Sequence, residues 1–319
     1  MGQIILIPQD VNESGKKFLI EKGYELRVLQ DSSVENICKH VGDCNGILAR
    51  TAPYPEEIFR AASNLKVIAR HGVGYDNIDL VAAAKHGVQV CNTPLANANS
   101  VAEHTIMLLL ACAKNLVYQD SELRQGNYDV RNQKPGRDVS GRTLGIIGFG
   151  RIGREVAKKA ALGLDMKILV YGHNRNLEDS LDYVTIVDSL KDLITQADYI
   201  SLHVPLDDET RNLIHSQNIA LMKRDCVLIN VARGGIVNEA DLYEALKNKV
   251  IAGAGLDVFE EEPFTERLSK LFELDNVIVS PHSAALTKEA MDRMSLQAAI
   301  SIDEVLKGEK PSWPVNEII

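Results

Sequence analysis

The 319-residue sequence has no internal repeat, no low-complexity tract and no block of like charge, which leaves neither a solenoid nor a charged interaction tail as a reading. Its five cysteines, Cys38, Cys44, Cys91, Cys112 and Cys226, form no CxxC pair and are odd in number, so we expect buried, reduced thiols in a reducing compartment and no metal site. The N-terminal stretch MGQIILIPQD lacks a basic region, and its apolar run is too short for a signal peptide or a membrane span. A cytoplasmic location is the expectation. The formal charge of -9 argues against nucleic acid or an anionic membrane as partner. A local basic pocket for a small anion stays open. The length suits two domains, each large enough for its own core.

Short apolar runs alternate with helical stretches along the first part: IILI at Ile4 before Glu13 to Lys22, ELRVL at Glu25 before Ser33 to Val41, and GILA at Gly46 before Pro55 to Ala62. KVIA from Lys66 and VQVC from Val88 follow, and the pattern ends near Thr93-Pro94. Strands alternating with helices of this length imply a parallel sheet covered on both faces. Between the last two runs lies HGVGYDNID, His71 to Asp79, in which Gly72 and Gly74 expose backbone N–H groups at a strand's carboxyl end. A new pattern starts at Ser100, which with Glu103 reads as a capping box, and Ile106 to Ala113 is apolar nearly all round. Such a helix is expected between domains or subunits. The polar stretch Arg124 to Arg142 reads as a long surface connection.

The organising stretch is TLGIIGFGRIGREVAKKA, Thr143 to Ala160, where an apolar run breaks into Gly148, Gly150 and Gly153 before a helical pattern begins. In a dinucleotide loop the first glycine permits a tight turn, the second lets backbone approach a pyrophosphate, and the third lets helix pack on strand. The glycines alone are weak, since they also punctuate ordinary turns; strand before and helix after give them meaning. The strand–helix rhythm then repeats with runs from Met166, Tyr199, Cys226, Ile251 and Val277. A last amphipathic pattern, Thr287 to Lys307, stops at Gly308 with Pro311 and Pro314 beyond, and is placed to fold back onto the first domain.

Three charged residues fall where strands of this second part should end: Arg233 in NVARGG, Glu262 in LDVFEEEP and His282 in SPHSAAL. Hydride transfer to a 2-keto acid needs a cation for the carboxylate, a proton donor for the carbonyl oxygen and a group that orients the donor. Arginine, histidine and glutamate fit those roles in turn. Arg233 can bind a carboxylate bidentately, and Glu262 would keep His282 partly protonated near neutral pH. Singly, each has an ordinary alternative as an ion-pair partner, a loop residue or a solvated turn. Together on one sheet edge they point to chemistry.

The stretches HGVGYDNID, GFGRIG, NVARGG with GLDVFEEEP, and SPHSAALT resemble the D-isomer-specific 2-hydroxyacid dehydrogenase family, in its phosphoglycerate dehydrogenase-like branch. The resemblance implies an α/β fold of two Rossmann-like, doubly wound parallel-sheet domains. A cofactor domain over residues 100–285 would be inserted into a discontinuous, flavodoxin-like substrate domain of residues 1–99 and 286–319. It further implies NAD or NADP as cofactor, a homodimer through the cofactor domains, a small anionic 2-keto or 2-hydroxy acid as substrate, and hinge closure over it. Carried over by motif, Arg233 would bind the substrate carboxylate, His282 would be the acid/base and Glu262 its partner. Backbone near Val73 and Gly74 would also hold the carboxylate. Cofactor contacts would come from Arg151 and Ile152 on the pyrophosphate, from Val204 and Pro205, from Val231 and Ala232, and from Asp257 near the nicotinamide amide.

One departure stands out. Where NAD-specific relatives carry an acidic residue after the second strand, this chain reads VYGHNRN. His173, Asn174 and Arg175 occupy that region, and Arg175 with His173 suits a 2′-phosphate. Arg50, with Arg70, His71 and Lys134, would meet a substrate phosphate if the acid carries one, while glyoxylate or hydroxypyruvate fits the same core chemistry. The short tail after the last helix leads us to expect no regulatory domain and no serine feedback. Two other readings stay open: a nicotinamide-sensing, corepressor-like binding protein, and a formate or phosphite dehydrogenase, the former disfavoured by Glu262. On the departure at 172–175, catalytic efficiency with NADPH should exceed that with NADH when initial rates are compared on glyoxylate, hydroxypyruvate and phosphohydroxypyruvate. Efficiency with NADH equal or higher would remove the 2′-phosphate reading.

Overall fold

Apolar runs of about four residues that do not alternate must be covered on both faces, and the chain meets that demand twice. In the computed structural model, which describes residues 2–172, 181–264 and 269–317, the chain divides into Met1–Ala98 with Ala285–Ile319, and Asn99–Ala284.

The first unit alternates β1 (Ile4–Ile7), α1 (Glu13–Glu21), β2 (Glu25–Val28), α2 (Val34–His40), β3 (Gly46–Ala49), α3 (Glu56–Ala61), β4 (Val67–Arg70), α4 (Leu80–Lys85) and β5 (Gln89–Cys91). All pairings are parallel, in the order β2-β1-β3-β4-β5. Central β3 is buried throughout, whereas edge strand β2 is half exposed. Ser33 and Asp79 start α2 and α4 by accepting from the amides of Asn36 and Ala82, the ordinary N-cap device. One face of the sheet is closed by the chain's last helix, Lys288–Leu306, whose Ala298, Ala299 and Ile302 pack with Ile5, Ile7, Leu48 and Val67. That helix lies so close to α1 that a Cβ on Gly15 would meet Ser295; instead the Gly15 N–H donates to Ser295 Oγ at 3.2 Å. The C-terminal strand edge is covered by the tail, where the Val315 N–H donates to the Val90 carbonyl at 2.8 Å.

The second unit opens with α5 (Ala98–Ala113), α6 (Leu116–Arg124) and α7 (Val130–Gln133). It continues through β6 (Thr143–Ile147), α8 (Arg151–Leu164), β7 (Lys167–Tyr171), β8 (Val184–Ile186), α9 (Leu190–Gln196), β9 (Tyr199–Leu202), α10 (Ser216–Ile219), β10 (Val227–Asn230), α11 (Glu239–Lys247), β11 (Gly253–Leu256) and β12 (Val277–Val279). The last helix is α12. The sheet is parallel in the order β12-β11-β10-β9-β6-β7-β8, so the winding reverses between β6 and β9. Such a reversal opens a crevice beyond the strands' carboxyl ends, which is where ligands bind in this architecture. Among the described residues no single helix is long and apolar enough to cross a membrane.

The structure corrects the sequence reading of the secondary structure at three places. α5 begins at Ala98, so Ser100 lies in its first turn and not at its cap, and Glu103 accepts from the Asn99 side chain at 2.7 Å. The stretch from Arg124 to Arg142 carries the end of α6 and the whole of α7. β8 was not anticipated, because VTI is short and largely exposed at the sheet edge and so lacks a buried run.

His71, which follows β4, is 4% exposed, and its Nε2 lies 3.2 Å from the Met291 carbonyl. Burial first, then the charges of Arg50 and Arg70, push its imidazole down to about 4, so it is not a cation for a substrate phosphate at neutral pH. The unfolded chain therefore binds more protons than the folded one between about pH 4 and 6.5. The associated stability is complete above that window and is lost on acidification through it, by at most about 1.4 kcal/mol per pH unit. Unfolding midpoints measured from pH 7 to 4.5 should fall less steeply in His71→Gln than in the unaltered protein. Equal slopes would exclude His71 as the source.

Candidate active site

The loop after β6 is shaped by contacts that only glycine allows. Gly148 has φ +93, and a Cβ there would stand 2.5 Å from the carbonyl oxygen of His203 at the end of β9. A Cβ on Gly153 would collide with the Gly148 carbonyl, so the third glycine seats α8 against the loop. Gly150, at the N-cap of α8, has open space where its Cβ would be. A tight turn, an accessible backbone and a close helix seat are what a dinucleotide pyrophosphate requires, with Arg151 and Ile152 opening the helix beneath it. Val204 and Pro205 follow β9 on the same sheet edge, and Val231 and Ala232 follow β10. His203 itself is neutral at working pH: burial pushes it down to about 3, and its Nε2 is 2.8 Å from Ser201 Oγ. His173, Asn174 and Arg175 lie outside the described residues.

Two strands further along the sheet, the Asn230 side chain shapes the turn that carries Arg233. Its Oδ1 accepts from the Ala232 N–H at 3.1 Å and its Nδ2 donates to the Arg233 carbonyl at 2.8 Å. Arg233 donates in turn to the Ala232 carbonyl at 2.6 Å. After β11, Asp257 is fully buried. Its carboxylate accepts from Ser280 Oγ at 2.6 Å, from the Ser283 N–H at 2.9 Å and from the Ala284 N–H at 2.9 Å. Its carbonyl accepts from the His282 N–H at 2.8 Å. These bonds hold the loop beyond β12 and with it His282, whose φ of 49 is uncommon for a residue other than glycine.

His282 Nδ1 lies 2.6 Å from Glu262 Oε2, and Glu262 Oε1 accepts from the Phe259 N–H at 2.7 Å. Burial alone would push the Glu262 carboxyl up. The hydrogen bond and charge of His282, the Phe259 N–H and the charge of Arg233 outweigh it and hold the group below the ordinary carboxylate range. With Glu262 ionised, Nδ1 carries the hydrogen, and Nε2 is left as the ring atom for proton transfer. His282 retains 47% of its side-chain exposure, so the ring is reachable. Arg233, Glu262, His282 and Asp257 thus gather on one edge of the second unit's sheet.

Other expected residues belong to other segments. Arg50, Val73 and Gly74 belong to the first unit, where Arg50 donates to the Asp10 carbonyl at 2.9 Å and the Val73 carbonyl accepts from Asn92. Lys134 lies 4.0 Å over the Tyr118 ring. The five cysteines are free thiols, and among the described residues no group of three or more His, Cys, Asp or Glu could hold a metal. Sequence reasoning missed Asn230, Ser280 and His104, whose Nε2 reaches Ser280 Oγ at 2.9 Å. Only Asn230 carried a signal, an asparagine that can bond its own turn just after a strand.

Known proteins resemble this chain over most of its length. Residues 106–284 match the family described as D-isomer specific 2-hydroxyacid dehydrogenase, NAD binding domain. The chain is 40% identical over 315 residues to a D-3-phosphoglycerate dehydrogenase of Methanocaldococcus jannaschii, covering 98% of this chain and 59% of that protein. It is 38% identical over 320 residues to a glyoxylate reductase of Korarchaeum cryptofilum, covering 98% of this chain and 96% of the relative. A crystal structure of a Thermus thermophilus protein superposes with a TM-score of 0.90 at 33% identity, covering 98% of this chain and all of that one.

Proposed function

The chain belongs to the D-isomer-specific 2-hydroxyacid dehydrogenase family, NAD(P)-dependent oxidoreductases acting on CH–OH groups, and from that membership we propose that it interconverts a small 2-keto acid and its 2-hydroxy acid. The observation that carries the reading is the 2.6 Å bond between His282 Nδ1 and an ionised Glu262, on the same sheet edge as Arg233. The backbone of the Gly148–Gly153 loop, with the N–H groups of Arg151 and Ile152, would hold the pyrophosphate. Val204, Pro205, Val231 and Ala232 would flank the rest of the dinucleotide. Asp257, with three donors already on its carboxylate, contributes by fixing the loop of His282.

When bound, the nicotinamide supplies or accepts the hydride at the substrate's second carbon. The remaining work belongs to this chain's own groups. In reduction, the His282 imidazolium gives its Nε2 proton to the carbonyl oxygen as that oxygen gains charge. In oxidation, neutral Nε2 takes the hydroxyl proton. Glu262 stabilises the imidazolium at Nδ1 and fixes the ring, and the Arg233 fork binds the carboxylate and polarises the ketone.

The substrate reading that follows from VYGHNRN is reduction of glyoxylate or hydroxypyruvate with NADPH, since no carboxylate is present to meet ribose hydroxyls there. The Korarchaeum relative, named for glyoxylate reduction and matched over nearly its whole length, favours the small acids. Phosphohydroxypyruvate is the competing substrate, carried by the Methanocaldococcus relative. We also assign a homodimer to the second unit, because Met107, Leu116, Val117 and Leu123 expose apolar side chains along α5 and α6.

Replacing His282 with Ala should lower kcat about 10²–10⁴-fold while the dinucleotide Kd, read by nicotinamide fluorescence, stays unchanged. Turnover at the parent rate would sink the acid/base assignment. Arg233→Lys should raise KM for the keto acid and also reduce kcat, because lysine cannot reproduce the bidentate contact. Unaltered steady-state kinetics would move the carboxylate site away from Arg233.

A further inference from the structure

The loop that carries Glu262 is held at a second point by a residue that touches neither the reacting groups nor the dinucleotide loop. Glu239 is the first residue of α11, just after the segment that bears Arg233. Its Oε1 accepts from the Glu260 N–H at 2.6 Å, while its own N–H donates to Glu260 Oε1 at 3.0 Å. The two glutamates therefore clasp each other reciprocally, backbone to side chain. Glu239 Oε2 is also fixed, by Ser269 Oγ at 3.1 Å. The clasp sits where the two segments are packed backbone to backbone, since a Cβ on Gly234 would overlap the carbonyl of Phe259.

Its consequence for the site lies in consecutive amides. The Phe259 N–H holds Glu262 Oε1, and the next amide along the chain, that of Glu260, is the one Glu239 captures. The peptide between 259 and 260 cannot turn without breaking the second bond, and it is joined through the Phe259 Cα to the peptide whose N–H anchors Glu262. The Phe259 ring is wedged against Phe264 and Phe272, with centroids 5.3 and 5.1 Å away, which pins the same residue on its apolar side. Burial, with the nearby charges of Glu260 and Glu262, pushes the Glu239 carboxyl up, against the opposing pull of the Glu260 N–H and Ser269. A carboxyl held where its ionisation is disfavoured is costly unless its oxygens are hydrogen-bonded, and both oxygens of Glu239 are.

We propose that Glu239 is a positioning residue for the reaction: by clasping Glu260 it holds Glu262 in the orientation that fixes His282. The inference rests on the assignment of His282 and Glu262 as the acid/base pair. Glutamine at 239 can still accept from the Glu260 amide and donate to the Ser269 hydroxyl, whereas alanine does neither and aspartate is one methylene too short.

The test measures kcat and dinucleotide Kd in Glu239→Ala, Glu239→Gln and Glu239→Asp, each in the parent and in a Glu262→Gln background. In the parent background, alanine and aspartate should lower kcat about 10- to 100-fold with Kd unchanged, and glutamine should restore most of the rate. In the Glu262→Gln background the alanine change should cost less than about twofold further, because the residue it positions has lost its charge. Equal losses in both backgrounds, a glutamine variant as slow as alanine, or parent-like kcat in alanine would each overturn the proposal. If alanine does not fold, aspartate decides, and a parent-like rate there overturns it. Turnover of a 2-keto acid by the parent and its loss in His282→Ala are measured on the same preparations. Failure of those two removes the functional reading itself, whereas their success with parent-like Glu239 variants removes only this inference.

Discussion

The site depends on one buried carboxylate. Asp257 is fully removed from solvent, where a charge persists only if donors surround it. Its three hydrogen-bond donors, the Ser280 hydroxyl and the amides of Ser283 and Ala284, come from the loop beyond β12, with His104 Nε2 of α5 3.5 Å away. Satisfying Asp257 and folding that loop are thus one event. The left-handed backbone of His282, a conformation costing about 1–3 kcal/mol, is held inside this frame by a bond to the Asp257 carbonyl. A flexible loop would let the ring relax away from Glu262; this one is tied before, at and after the histidine.

Around that frame, the parallel sheet does the sorting. Every strand of the second unit runs the same way, so every loop that follows a strand emerges on one edge. Glycine turn, arginine, glutamate and histidine are far apart in sequence and are brought to that edge by topology alone. Local chemistry then sets the fine positions: the Asn230 side chain for Arg233, the Phe259 amide for Glu262, Asp257 for His282.

How much of this was legible in the sequence follows from range. Central strands such as Gly46–Ala49 and Tyr199–Leu202 announce themselves because both faces are buried and the run is apolar, broken only by Ser201 in the second. Val184–Ile186 does not, because an edge strand buries little. The glycine loop and the three charged residues could be read because each lies a few residues past such a run. The start of α5 at Ala98 was misplaced, since Ser100 and Glu103 spell a cap that tertiary packing overrides. His71 looked like an available cation, and nothing local reveals that α12, more than 200 positions away, buries it against the Met291 carbonyl. Asp257, Ser280 and His104 form a contact set across three separate segments, and no spacing rule connects them.

The placement of α12 also bears on how the protein is made. The sheet of the first unit is complete in sequence by Cys91, but the face formed by Ile5, Ile7, Leu48 and Val67 is covered by Ala298, Ala299 and Ile302. At about 5–20 residues per second, translation leaves that apolar face without its helix for roughly 10–40 s while the contiguous second unit is synthesised. The second unit can finish first, though it starts later. The N-terminal sheet, with one face still uncovered, is therefore a stretch of this chain in need of shelter on the ribosome, and Gly15 is the seat that waits, open, for Ser295 to arrive.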